Sequence, residues 1–234
     1  MRLVLTLVVL AAAGFGFLLL STPSVGNAPG LVRAQNAAHH AVYPGPQAPY
    51  RFAAALEATE DHRFTGEPGV DPIAIGRVVL ARLAGRGDQG GATLYQQLAK
   101  VLYTQGSSGL AVEAKQVALA VKLKFSYTPQ EILRMYASVV YFGHGYYGLA
   151  RASCGYFGTT AAGLSWPQAA MMAGLVLGPS ADDPLVYPAR ARAREEHVLG
   201  RLVATGALTQ AQVTAALRIP VPALVAAAGR NCGS

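Results

Sequence analysis

The longest apolar stretch of the chain is also its first. Residues 3–20 are apolar, with only Thr6 mildly polar. At about 1.5 Å per residue the run reaches roughly 27 Å, close to the hydrocarbon thickness of a bilayer. Only Arg2 and the α-amine precede it, which orients the chain with its N-terminus inside and the remainder outside. The run predicts a single-pass transmembrane anchor over residues 1–21. A signal peptide cleaved after it is the alternative, and either outcome places the rest of the chain beyond the cytoplasm. Residues 22–48 are rich in Pro, Gly and Ala without a sustained period, and read as a linker or stalk. His39-His40 within that stretch has no carboxylate or further ligand nearby, so it reads as solvated loop rather than a metal pair.

From about Pro49 the apolar residues take up helical spacing. Phe52-Ala53-Ala54-Ala55-Leu56 begins an Ala-rich helix that ends on two adjacent acids, Glu60 and Asp61, before Thr65-Gly66-Glu67-Pro68-Gly69. Ile75, Val78/Val79 and Leu83 mark an amphipathic helix stopped by Gly85-Arg86-Gly87-Asp88. Thr93 can cap a helix reaching Leu102. Residues 111–125 form another, with Val112, Leu119 and Leu123 as its stripe and Gln116 at the border. Thr128-Pro129-Gln130-Glu131 is a capping box with Pro at the first helical position, opening a helix whose inward positions are Ile132, Met135/Tyr136 and Val139/Val140. Ser165-Trp166-Pro167-Gln168 and Thr209-Gln210-Ala211-Gln212 repeat that logic. Residues 190–203, with mixed Arg and Glu, read as a surface helix. Ile219-Pro220-Val221-Pro222 breaks the pattern, and residues 219–234 read as a loose tail. No strand alternation is sustained. The expected fold is mainly α, with a domain over residues 49–218.

Composition adds two constraints. A formal net charge of +7 with 13% charged residues suits an anionic partner such as a phosphate-bearing lipid or a membrane surface. No Lys/Arg cluster with interleaved aromatics is present, which argues against nucleic acid. The two cysteines cannot form a disulfide framework: Cys154 reads as a small buried residue in a helix and Cys232 falls in the tail.

The chemistry concentrates in two stretches. Glu60 and Asp61 sit at a helix C-terminus, against the negative pole of the macrodipole, beside a Gly/Pro-rich turn. They are either solvated end-of-helix charges or groups held for reaction. Gly90-Gly91-Ala92-Thr93-Leu94-Tyr95-Gln96-Gln97-Leu98-Ala99-Lys100 opens a helix after two glycines, a ready anion site, with Gln97 and Lys100 as side-chain donors. Together these stretches resemble the first two motifs of glycosyltransferase family 51, the peptidoglycan transglycosylases, whose patterns run E-D-x-x-F-x-x-H-x-G-x-D and G-G-S-T-I-T-Q-Q-L-A-K-N. The chain keeps Glu60, Asp61, Phe64, Gly69 and Asp71, with Glu67 at the His position. It keeps Gly90, Gly91, Thr93, Gln96, Gln97 and Lys100, with Ala92, Tyr95 and Val101 as departures. Glu131-Ile132-Leu133 through Tyr141-Phe142-Gly143, Tyr147-Gly148 and Tyr156-Phe157-Gly158 resembles the fourth motif. In the helix that carries R-K-x-x-E-x-x-x-A-x-x-x-E in the family, this chain has Val112, Glu113, Gln116, Ala120 and Lys124.

The resemblance implies a lysozyme-like, two-lobed transglycosylase domain that polymerises lipid II, with the Gly-rich connection near residues 85–88 as a flap beside the cleft. It makes Glu60 the general base, Asp61 its orienting companion, and Gln116 the occupant of the second Glu position. Phe64, Gly90, Gly91, Thr93, Gln96, Gln97, Lys100 and Lys115 become substrate contacts. A divalent cation, Mg or Mn, is compatible with the family but weakened by Gln116, since a neutral amide is a poor ligand and neither acid nor base. The implied partners are lipid II, the nascent glycan strand, the membrane and, for cross-linking, transpeptidases or other wall-assembly proteins. Three readings compete: a transglycosylase of reduced activity, a non-catalytic lipid II or glycan-binding module, and a glycan-cleaving enzyme using Glu60 alone. The Gly-Gly-x-Thr-x-x-Gln-Gln-x-x-Lys segment argues against the third.

Overall fold

A computed structural model of the chain describes residues 2–41, 45, 47–66 and 92–221. The expected helix at Ile75–Leu83, the connection after it, and Glu67, Gly69, Asp71, Gly90, Gly91 and Cys232 lie outside the described residues. Ten α-helices are described: α1 Arg2–Ser21, α2 Ala28–Ala38, α3 Tyr50–Glu60, α4 Leu94–Tyr103, α5 Leu110–Ser126, α6 Pro129–Val139, α7 Leu149–Phe157, α8 Trp166–Leu175, α9 Pro188–Ala204 and α10 Gln210–Leu217, with a 3-10 turn at Ala161–Gly163. The one β feature among the described residues is an isolated bridge between Tyr141 and Tyr147. The mainly α expectation therefore holds. Among the described residues no helix is long and apolar enough to cross a membrane. Leu3, Val4, Leu7, Val8, Ala11 and Ala12, part of the run that carries the anchor expectation, have side chains outside that description.

The chain divides into two compact units, Met1–Pro29 with Phe64–Ile132, and Gly30–Arg63 with Leu133–Ser234. In the first, α4 and α1 each pack on α5. Leu94, Tyr95, Leu98, Ala99 and Leu102 recur at helical spacing and are buried where α4 packs on α5, whose Ala118, Leu119, Ala120 and Leu123 are buried as well. The Tyr95 ring also meets Phe64, with centroids 4.9 Å apart.

In the second unit α8 is the central element. Pro167 and every residue from Ala169 to Leu175 are buried, and α3 and α9 pack against the helix. Gly174 permits the closest approach, because a Cβ there would lie 3.0 Å from Cβ of Arg194 on α9. All three expected capping boxes form: Thr128 with Glu131, Ser165 with Gln168 and Thr209 with Gln212.

Four sequence expectations need correction. The stretch expected as linker contains α2, with Ala28 and Val32 fully buried, and Pro29 stands in its first turn, where proline is tolerated. His39 is not solvated loop: its ring stacks on Tyr147 at 3.6 Å, and Arg151 donates to its carbonyl. Helix α9 is not a surface helix, since Ala191, Glu195, Val198, Leu199 and Leu202 are buried beneath its arginines. Cys154 is half-buried and disulfide-bonded.

Glu195 is fully buried with Arg192 Nη1 3.0 Å from its Oε2. Burial pushes the carboxyl up to about 7, against the pull of the Arg192 charge and with a push from Glu196. The unfolded chain ionises this group near 4.5. Between those values the folded protein holds a proton that the unfolded chain has lost, so stability falls as pH rises through the window. The slope is at most about 1.4 kcal/mol per pH unit. Thermal unfolding followed from pH 5 to pH 7.5 should show the melting temperature falling, and Glu195→Gln should flatten that slope.

Candidate active site

The sequence-derived site residues fall into the two units, each considered by itself. In the second, α3 carries Glu60 as its last residue and Asp61 as its C-cap, with the Asp61 N–H donating to the carbonyl of Glu57 at 3.1 Å. Asp61 is buried and Glu60 half-buried. Three acids on the last turn of a helix oppose its macrodipole, and the structure answers with a cation. Arg201 of α9 donates through Nε to the carbonyl of Ala58 at 2.9 Å, among the last carbonyls of α3. The effects of crowding are visible in the neighbours. Burial and then the Asp61 charge hold the Glu57 carboxyl above its ordinary value. Tyr136 of α6 is fully buried, and burial and then the Glu60 charge push its hydroxyl well above the usual phenol range. Tyr136 therefore stays protonated at any physiological pH.

In the first unit several expected substrate contacts are engaged within the protein. Thr93 is buried and forms a capping box with Gln96: the Thr93 hydroxyl accepts from the Gln96 N–H at 3.2 Å, and Gln96 Oε1 accepts from the Thr93 N–H at 2.9 Å. Phe64, at 1% exposure, is a packing residue under this helix. Gln97 Nε2 reaches the carbonyl of Ala92 at 3.4 Å. Lys100 is exposed but sits in the last turn of α4, about 9 Å along the axis from its first residue. The helix N-terminus and Lys100 thus serve opposite ends of the element.

Gln116 is the informative position. Its side chain is buried, and its amide donates to Thr104 Oγ1 at 2.8 Å and to the carbonyl of Ser107 at 3.3 Å. The Thr104 hydroxyl in turn donates to the carbonyl of Lys100 at 3.1 Å, and the N–H of Gly106 reaches the same carbonyl at 3.2 Å. A relay from α5 therefore satisfies the end of α4, and Lys100 and Gln116 are brought together through Thr104. Lys115 is half-buried beside it. Lys124, in the place of the family's last acid, donates to the carbonyl of Thr65 at 3.3 Å and to the Tyr95 hydroxyl at 3.2 Å, with its ammonium 5.2 Å from the Tyr95 ring centroid. It secures the loop after the motif acids to α4.

A transglycosylase family profile matches residues 30–203, nearly three quarters of the chain. The chain belongs to the transglycosylase family. Among its relatives, a protein of Cupriavidus necator provisionally named a transglycosylase is 33% identical over 173 residues, covering 74% of this chain and 75% of the relative. Penicillin-binding protein 1A of Escherichia coli is 38% identical over 167 residues, covering 71% of this chain but 20% of that protein. A crystal structure of penicillin-binding protein 1A from Haemophilus influenzae shares 33% identity, with a TM-score of 0.39 over 41% of this chain and 14% of that one. This transglycosylase thus spans most of one relative and about a fifth of the penicillin-binding proteins it resembles. The match begins at residue 30, so it takes in α2 as well as the domain expected from residue 49.

Sequence reasoning missed Arg201, Tyr136 and the Thr104 relay. Arg201 lies 143 residues from its acceptor. Tyr136 carried only the inward period of α6, and nothing in Thr104 itself signals its partners. The relay yields a direct expectation for the transglycosylase. Gln116→Glu at pH 8 replaces a donor with a carboxylate facing the Ser107 carbonyl, and should cost about 1–3 kcal/mol, a fall of several degrees in melting temperature for a domain this size. Near pH 4 the protonated carboxyl regains a donor, and the deficit should shrink.

Proposed function

We propose that this transglycosylase polymerises lipid II into glycan strands, with Glu60 as the general base. The observation that carries the reading is Glu60 at the end of α3, within the matched residues, with Tyr136 and Arg201 as its surroundings. Glu60 accepts the proton of the 4-hydroxyl of the incoming disaccharide as that oxygen bonds to the anomeric carbon of the growing strand. The bond from that carbon to the lipid pyrophosphate breaks, and the pyrophosphate leaves with the electron pair. Asp61, fixed as the helix C-cap, orients the turn that holds Glu60. Lys100 and Lys115 supply positive charge to the leaving group.

A divalent ion is the family's further option at the leaving group. Here the second acid is a neutral amide whose nitrogen faces Thr104 and Ser107, and the described residues include no group of three His, Cys, Asp or Glu side chains placed to hold a metal. That donor set does not fit a hard dication, which takes carboxylate and carbonyl oxygens, and no step is assigned to one. The chain works as a transferase anchored by α1, its domain beyond the cytoplasm, a setting in which the Cys154 disulfide persists. Transpeptidases supply cross-linking. Retention of the full chain in vesicles through an alkaline wash tests the anchor, and release would refute it.

A second reading has an observation of its own. Because the Gln116 amide is spent inside the first unit, the domain could bind lipid II without transfer. The assay is strand formation from labelled lipid II by the full chain. Glu60→Gln should reduce the rate by roughly 10²–10⁴-fold while binding of lipid II persists. A binding module gives no strands from either form and equal binding by both. Strand formation at full rate by Glu60→Gln refutes the base assignment.

A further inference from the structure

The exit from α1 is not the free tether that its Pro/Gly/Ala composition suggests. The Lys122 ammonium on α5 donates to the carbonyl of Thr22 at 2.7 Å and to that of Pro23 at 3.2 Å. Tyr127, the C-cap of α5, places its hydroxyl 2.9 Å from the carbonyl of Val25 and 3.1 Å from that of Gly26. Four of five consecutive carbonyls are thus held by two side chains about a hundred residues away in sequence. Thr22 and Val25 are buried in the process, and α1 itself packs on α5. A lysine at this end of α1 also complements the negative pole of its macrodipole.

The consequence concerns distance from the lipid surface. A substrate held in a bilayer by its lipid presents its pyrophosphate at one depth. A flexible tether of the seven residues from Thr22 to Ala28 would spread the enzyme over roughly 15 Å, whereas a misplacement of about 1 Å can cost two orders of magnitude in rate. Lys115 lies seven residues before Lys122 on the same face of α5, about 10 Å along the helix. We propose that Lys122 and Tyr127 are positioning residues that make α1 a rigid continuation of the first unit. They hold the Lys115 face of α5 at a fixed height above the lipid surface. The inference rests on the anchor and on the transfer from lipid pyrophosphate proposed above.

The test uses the full chain in phosphatidylglycerol/phosphatidylcholine vesicles, with a nitroxide label on Asn27→Cys, an exposed position between the clamp and α2. The labelled parent should give a restrained spectrum, and Lys122→Met with Tyr127→Phe should add a fast component. Strand formation from lipid-linked substrate should fall by roughly tenfold in vesicles but less than about twofold in detergent micelles, where no bilayer plane sets the height. Lys122→Arg, which keeps the donors, should restore the vesicle rate. Tyr127→Phe alone, with half the clamp intact, gives an intermediate loss if the double variant folds poorly. Identical label mobility in parent and variant overturns the proposal, as does an equal loss in vesicles and micelles. A parent that makes no strands refutes the transfer reading, while the label spectra still decide the coupling.

Discussion

Helix α8 has no polar face to give to solvent, and the second unit is arranged to cover it. A helix that is apolar around its circumference must be enclosed by neighbours, and here α3 and α9 do so. Gly174 lets α9 approach to contact distance, and that approach brings Arg201 onto the last turn of α3. The position of Glu60 follows from this packing, because α3 is laid along α8 and its C-terminus is fastened by α9. A side chain added at Gly174 would therefore act on the acid end without touching it.

The acid end is electrostatically unfavourable by itself. Glu57, Glu60 and Asp61 crowd the negative pole of α3, and the neighbouring groups register the crowding: Glu57 is pushed up by burial and by Asp61, and Tyr136 by burial and by Glu60. Groups perturbed by burial and by one another cluster at functional sites more often than elsewhere. Arg201 at the Ala58 carbonyl offsets part of the cost. The first unit shows the opposite treatment of its motif residues. Thr93, Gln96, Phe64 and Gln116 satisfy helix ends and fill the core, while Lys100 is exposed and Lys115 half-buried.

What the sequence made legible was local. The three capping boxes form as read because donor and acceptor lie three residues apart. The Glu60-Asp61 helix end was legible for the same reason. Helix α9 was misread because its Arg/Glu mixture hides an apolar stripe at Ala191, Val198, Leu199 and Leu202, and because burying Glu195 beside Arg192 breaks the rule that charge marks a surface. The helix α2 was missed because its proline and glycine fall in the first turn, where they do not interrupt it. Gln116 was read through the family as a lost acid. Its structural task depends on Thr104 and Ser107, which only the fold brings to it.

The central claim is that the transglycosylase works with one ionising carboxylate, Glu60, and that the second-acid position has become a brace between α4 and α5. The pH dependence of kcat/KM for strand formation by the unaltered chain tests it most directly. One rising limb of unit slope, from the base, with no falling limb before the lysines titrate, is the predicted profile. A bell shaped by a second acidic group, or a rising limb of slope two, would contradict it.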